Sequence, residues 1–91
     1  MQITEVRVRK VNFEGRTRAF VSVTFDDCFA VHDLRVVEGD SGLFVAMPNR
    51  RLPNGERRDI AHPVNNDFRQ VLQKAVLDAY EHAPAPEAHA P

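Results

Sequence analysis

The chain has 91 residues, with 12 lysines and arginines against 13 aspartates and glutamates, and a single cysteine. A chain this short forms one small domain that buries only about 60–65% of the surface of its unfolded form, so pairing with a second copy would enlarge its core. The formal charge of −1 excludes a uniformly basic, histone-like protein. One cysteine cannot form an internal disulfide, which favours a reducing compartment and therefore the cytoplasm. The sequence also lacks a signal-peptide pattern and any run of the ~20 apolar residues that cross a bilayer, so we expect no membrane association.

Charge is segregated along the chain. Residues 5–18 and 50–58 are rich in arginine, whereas residues 26–40 and 78–87 are mostly acidic. Affinity for nucleic acid would have to come from the two basic zones and not from net charge.

The first half of the chain reads as an antiparallel meander of strands. Alternating apolar and charged residues predict strands over residues 3–11 and 16–25, joined by a turn at residues 12–15. The second strand should place Ala19, Val21, Val23 and Phe25 on one side. Asp26-Asp27 then forms a tight connection to a third strand over residues 28–37.

An apolar run at residues 43–47 is followed directly by a loop rich in arginine. The run predicts a central strand with Phe44 in the core, either covered on both faces or covered on one and paired with a partner subunit. Pro48 ends this strand because proline cannot donate to a sheet ladder. The turn sequence Pro53-Asn54-Gly55 should then fold the chain back into a short fifth strand over residues 57–61. This return brings together the four arginines of the loop, Arg50, Arg51, Arg57 and Arg58.

Four guanidinium groups in one loop repel each other unless an anion or nearby carboxylates relieve the charge. Arginine suits phosphate because its planar fork can bond two oxygens at once, so the loop predicts a phosphate-binding site. In the alternative interpretation the arginines are a solvated edge that discourages sheet aggregation, or they pair with Asp59, Asp40 and Glu38.

A change of hydrophobic period after Pro63 predicts one C-terminal helix of about four turns. Asn65 or Asn66 can cap it. Leu77 falls opposite the apolar stripe, where it either touches a second subunit or is a lone exposed leucine. The buried stripe is predicted at Phe68, Val71, Leu72, Ala75, Val76, Ala79 and Tyr80. Residues 83–91 are rich in alanine and proline and are predicted to be a disordered tail.

The sequence shows little sign of catalytic chemistry. The segment at residues 39–42 has neither the spacing nor the lysine of a phosphate-binding P-loop. His32 and Asp33 are adjacent and would face opposite sides of a strand, and the acidic neighbours of Cys28 disfavour a reactive thiolate. We therefore predict a protein that is not an enzyme and has no cofactor, metal site or small-molecule substrate.

Four segments, taken in order, resemble the stage V sporulation protein G (SpoVG) family over about residues 1–81. They are Ile3-Thr4-Glu5-Val6-Arg7-Val8-Arg9, Phe29-Ala30-Val31-His32-Asp33-Leu34-Arg35-Val36-Val37, Gly42-Leu43-Phe44-Val45-Ala46-Met47-Pro48 and Arg57-Arg58-Asp59-Ile60-Ala61-His62-Pro63. The resemblance implies a small α+β protein with an antiparallel sheet of about five strands, one C-terminal helix, and a homodimer made by extending the sheet. It also implies a bacterial cytoplasmic regulator, named for septation and sporulation, that binds DNA and in some members RNA.

The resemblance also assigns site residues. The basic loop of the family corresponds to Arg50 and Arg51, and its variable helical segment to Arg69, Gln70, Gln73 and Lys74. The predicted organisation is a domain at residues 1–82 followed by the tail at 83–91. We predict a homodimeric nucleic-acid-binding regulator; the alternative is a protein-interaction module of cell division and septum formation, in which the arginine loop meets an acidic partner surface.

Overall fold

The computed structural model describes residues 1–11 and 15–85 of the chain. The strands are β1 (Ile3–Lys10), β2 (Thr17–Phe25), β3 (Phe29–Gly39), β4 (Gly42–Ala46), β5 (Asn49–Arg51) and β6 (Arg57–Asp59), and the helix is α1 (Asn66–His82). Residues 12–14 of the predicted turn and residues 86–91 of the predicted tail lie outside the described residues. Within the described ranges, no helix combines the length and apolar character needed to span a membrane.

The first four strands form an antiparallel sheet in the order β1-β2-β3-β4, as the short links between them predict. Asp26 and Asp27 make the tight connection between β2 and β3, with φ values of 51° and 54°. The amide of Cys28 donates to the carbonyl oxygen of Phe25 at 3.0 Å and closes this turn. Two successive residues with positive φ match the twist of a hairpin, and aspartate tolerates that conformation better than most residues. The α+β class with an antiparallel sheet and a C-terminal helix is therefore confirmed.

The core lies between one face of the sheet and α1. Ala19, Val21, Val23 and Phe25 on β2 are all buried, which confirms the predicted face of that strand. They pack with residues of β3 and with Leu72 and Val76 of the helix in one cluster. These side chains lie on the helix side, whereas the strand register places Arg9, Phe20 and Arg35 on the opposite face, which therefore mixes charged and aromatic residues.

The strand predicted at residues 43–47 is present as β4, but it is not central in the described chain, and the prediction that both of its faces are covered is wrong. Its pairing with a partner subunit stays a prediction. β4 is the last strand of the four-stranded sheet and pairs with β3 along one edge. Val45 and Met47 are buried, but Leu43 and Phe44 remain 39% and 43% exposed, so Phe44 is not a core residue. The chain leaves the sheet at Pro48 instead of adding another strand, so nothing in the described chain covers the outer edge of β4. The apolar run reflects a half-covered edge strand, which an amino-acid pattern cannot distinguish from a central one.

The helix begins and ends close to the predicted positions. Asn65 is its N-cap and accepts a hydrogen bond from the amide of Phe68 at 2.7 Å. The buried stripe is centred on Leu72 and Val76, and two residues differ from the prediction. Val71 is 54% exposed, whereas Leu77 is half-buried and packs against the core. The helix is thus rotated relative to the predicted stripe, and Leu77 packs against the core and is not a lone exposed leucine.

A β-bulge interrupts β3 opposite Ser22. Val21 pairs with Leu34 and Val23 pairs with Val31, so two residues of β3, His32 and Asp33, face a single residue of β2. Asp33 has a φ of 67°, which is unusual for a residue other than glycine. The strict alternation expected for His32 and Asp33 is therefore interrupted, and both residues border the same shallow cleft.

Candidate nucleic-acid interface

The predicted arginine loop is a two-stranded hairpin, which we call the arginine arm (residues 49–59). β5 pairs with β6 in a separate sheet, with Arg50 opposite Arg58 and Arg51 opposite Arg57. The predicted return of the chain is therefore confirmed. The predicted fifth strand at residues 57–61 is shorter than expected and pairs with β5 and not with the four-stranded sheet.

The loop of the arm is built from local hydrogen bonds that its sequence favours. The amide of Gly55 donates to the carbonyl oxygen of Leu52 at 2.9 Å, and the amide of Leu52 donates to the carbonyl oxygen of Glu56 at 2.7 Å. Asn54 accepts from the amide of Glu56 at 3.0 Å through its side-chain oxygen. Gly55 has a φ of 89°, a conformation that favours glycine. Proline, asparagine and glycine in this order fit a three-residue hairpin loop with a left-handed final residue.

The base of the arm is tied to the end of β4. The amide of Ile60 donates to the carbonyl oxygen of Pro48 at 2.7 Å. The side-chain amide of Asn49 donates to the carbonyl oxygen of Met47 at 3.0 Å. Since Met47 and Pro48 are buried, these bonds hold the first residues of the arm against the body. The arginines beyond this base are all exposed.

The arm carries four arginines and two carboxylates, Glu56 and Asp59, and so keeps an excess of positive charge. Arg57 donates to the side-chain oxygen of Asn49 at 3.2 Å, but none of the four arginines forms an ion pair within residues 1–11 and 15–85. Two of the three carboxylates proposed as partners bind elsewhere: Asp40 pairs with Arg16 at 3.2 Å and Glu38 with Arg18 at 3.3 Å. The third, Asp59, forms no ion pair in the described chain. Arg50 and Arg58 are neighbours across the hairpin, so like charges lie side by side, a destabilising arrangement.

The four predicted helical residues occupy a second element. Gln70, Gln73 and Lys74 are exposed on α1, whereas Arg69 is half-buried. The ammonium of Lys74 lies 2.9 Å from a carboxylate oxygen of Asp78 one turn later. The hydrogen bond to Asp78, followed by its charge, raises the pKa of Lys74 above the ordinary value for lysine. Lys74 is therefore already paired within the helix, unlike the arginines of the arm.

The eight predicted residues thus form two groups on two elements. In the described ranges, no three metal-ligating side chains come together. Sequence reasoning placed Arg9 in a basic zone but did not connect it with Phe20 and Arg35, and the strand register places the three in one row across the outer face of the sheet. Alternation predicted their strands, but only the register between strands could have shown that they are neighbours.

These elements define the class of the molecule: a small α+β domain whose sheet is covered on one face by a C-terminal helix and which presents a basic two-stranded arm. The family model described as SpoVG matches residues 1–82. The chain belongs to the SpoVG family.

Three relatives are similar in sequence to this chain over most of its length. A protein of Caldanaerobacter subterraneus subsp. tengcongensis is 63% identical over 83 residues, covering 91% of this chain and 91% of the relative. A protein of Desulforudis audaxviator is 61% identical over 87 residues, covering 96% of this chain and 99% of the relative. A third, from Caldicellulosiruptor saccharolyticus, is 58% identical over 81 residues, covering 89% of this chain and 92% of the relative. All three carry the name "Putative septation protein SpoVG".

Proposed function

We propose that this protein is a homodimeric nucleic-acid-binding regulator of bacterial septation and gene expression, acting in the cytoplasm. The septation role is supported by the names of its relatives. The binding role rests on one observation: four exposed arginines on a two-stranded arm have no acidic partner in the described chain.

A polyanion explains why the arm keeps this arrangement. Repulsion between Arg50 and Arg58 costs stability in the free protein and is relieved when phosphate oxygens lie between the guanidinium groups. Each guanidinium can also bond two oxygens, which fixes the position of the arm on the phosphate backbone. A nucleic acid supplies such phosphates at regular spacing.

The shape of the arm favours duplex DNA. A two-stranded ribbon fits the major groove, which is about 12 Å wide. Because alternate residues of a strand point to opposite faces, Arg50 and Arg58 lie on one face of the ribbon and Arg51 and Arg57 on the other. In the groove, one pair would face base edges, where arginine bonds guanine, and the other would face the backbone.

The helical group would bind the nucleic acid beside the arm. Gln70 and Gln73 are exposed, and glutamine can bond adenine through two hydrogen bonds. Arg69 and Lys74 would contribute to phosphate binding, with Lys74 held in place by Asp78.

The proposed dimer uses the outer edge of β4. Leu43 and Phe44 are large apolar residues that stay partly exposed on this edge. Pairing two β4 strands across a two-fold axis would join the two sheets, give hydrogen-bond partners to the backbone groups of the open edge, and cover these side chains. A dimer would also present two arms to the same nucleic acid, so both could bind its phosphates.

The test is the salt dependence of duplex DNA binding by wild-type protein and by the variant R50A/R51A. The variant should bind more weakly because a dimer then has up to four fewer guanidinium groups that neutralise phosphates. The slope of log K against log salt should become shallower by about 0.9 for each phosphate that is no longer neutralised. The matched control is R7A/R16A, which removes the same charge from two exposed arginines that are already paired with Glu5 and Asp40.

Equal reductions of affinity in both double variants would mean that only net charge matters, and the arm would lose its assigned role. Wild-type protein that binds neither DNA nor RNA at low salt would refute nucleic-acid binding. The second candidate function would then stand, in which the arm meets an acidic surface of a division protein. It is favoured by an apolar cavity of about 460 Å³ near the base of the arm, lined in part by Phe29, Ala61 and Phe68.

A further inference from the structure

The outer face of the four-stranded sheet carries a row of planar and cationic side chains. Arg9 of β1 pairs with Phe20 of β2, and Phe20 pairs with Arg35 of β3. Since neighbouring strands lie about 4.8 Å apart, the Cα atoms of the two arginines lie roughly 10 Å from each other. The helix of the described chain packs against the other face, where Leu72 and Val76 meet the core.

Arg9 is held over the aromatic ring. Its guanidinium carbon lies 5.3 Å from the centroid of Phe20, within the range of a cation–π contact. Arg9 is exposed, so the contact does not bury its charge. Phe20 thereby fixes a planar cation at the surface, and guanidinium planes of this kind stack on nucleic-acid bases.

Arg35 supplies charge on the other side of the ring. It donates one hydrogen bond to the hydroxyl of Thr17 at 3.3 Å, and a guanidinium has five donors in all. In the described chain Arg35 forms no ion pair, in contrast to Arg7 of the same sheet face, which pairs with Glu5.

The bulge in β3 shapes the neighbouring part of this face. It places His32 against Ser22, with 2.8 Å between the imidazole Nδ1 and the hydroxyl. Together with Arg7, Arg9 and Phe20, these residues line a shallow cleft of about 380 Å³. Asp33 also lines it and would repel a phosphate there, so an anion is favoured at the Arg35 end of the row. Bulges often redirect side chains beside functional sites.

We propose that this face binds single-stranded nucleic acid, with one base stacked on the Arg9 guanidinium and a phosphate bonded by Arg35. A sheet face is too broad to enter a duplex groove, but single strands expose their bases to planar groups on a cationic surface. The inference rests on the proposed function in one respect, that the protein binds nucleic acid. It assigns a second binding surface, separate from the arginine arm, and its ligand is a single strand and not a duplex.

The test uses fluorescence anisotropy with a labelled single strand of about 12 nucleotides, as RNA and as DNA, and with a duplex of the same sequence. The variant R9K keeps the charge but removes the planar group, and R16K is its matched control away from the row. F20L removes the ring, with F29L as its control because Phe29 is 62% exposed at the end of β3. We expect R9K and F20L each to lower single-strand affinity by about fivefold or more, the effect typical of one stacked base. Duplex affinity and both controls should be unchanged.

The outcomes separate this inference from the proposed function. Single-strand affinity that neither R9K nor F20L changes would overturn the inference and leave the arm intact. Weaker binding by R9A together with unchanged binding by R9K would show that charge alone matters, as for an acidic protein segment, and would also overturn it. If R9K and F20L weakened duplex binding equally, the two surfaces would not be separate. If R50A/R51A lost duplex binding but still bound single strands, both proposals would be supported. If the wild-type protein bound single strands but no duplex, this inference would be supported and the proposed role of the arm in duplex binding would be refuted.

Discussion

Truncating Phe44 should weaken the dimer more than the fold. The ring is 43% exposed, and it lies over Gly39, where an added Cβ would come within 3.0 Å of the ring. It is therefore anchored on its own sheet and presents the rest of its surface at the open edge of β4. In the proposed dimer that surface would be covered by the partner subunit.

The size of the effect follows from this exposed area. A phenylalanine offers about 200 Å², so 43% exposure leaves about 85 Å² to be covered. At about 25 cal/mol per Å², covering it contributes about 2 kcal/mol per subunit. Two subunits give about 4 kcal/mol, so F44A should raise the dimer Kd by up to about a thousandfold.

Sedimentation velocity over a concentration series, at a temperature where both proteins are folded, measures this Kd. The matched control is F29A, the same change at a phenylalanine that is 62% exposed on another strand. F29A should sediment like wild type. A wild-type protein that is monomeric at all concentrations, or an F44A variant with an unchanged Kd, would refute association through the β4 edge.

Two further predictions concern the stability of the fold in urea. Replacing Asn65 by alanine should lower the free energy of unfolding by about 1 kcal/mol, because it removes the hydrogen bond that the side chain accepts from the amide of Phe68. The same change at Asn66, the first helical residue, should lower it less, and equal effects would contradict the assignment of Asn65 as the cap. Replacing Asp33 by glycine should preserve the stability of the fold, because glycine readily adopts a φ of 67°. Valine at the same position should destabilise the fold by about 1–2 kcal/mol. If valine were tolerated, the backbone at the bulge would be free to rearrange.

Local rules predicted the arm well. The sequence Pro53-Asn54-Gly55 encodes its turn through short-range backbone preferences, so the pairing of β5 with β6 followed from a few adjacent residues. The helix start at Asn65 and the tight turn at Asp26-Asp27 were predictable for the same reason. In each case the deciding interactions lie within a few positions along the chain.

Local rules could not predict whether Phe44 is buried in the core or exposed at an edge. An apolar strand has the same composition at the edge of a sheet as at its centre, and only the path of the chain after Pro48 leaves β4 at the edge. The same holds for Leu77 and Val71, because helical periodicity gives relative angles but not the direction in which the sheet lies.

The sequence by itself therefore determined the strands of the meander, the helix, the arginine arm and membership of the SpoVG family, since these depend on local pattern and on ordered motifs. The tertiary structure alone decided which arginines are paired and which are not. Asp40 and Glu38 bind Arg16 and Arg18 because strand register brings them together, and this leaves the arm without carboxylate partners in the described chain. Register also assembled Arg9, Phe20 and Arg35 from three strands. Interactions between distant positions are set by how whole strands align, and no single stretch of sequence encodes that alignment.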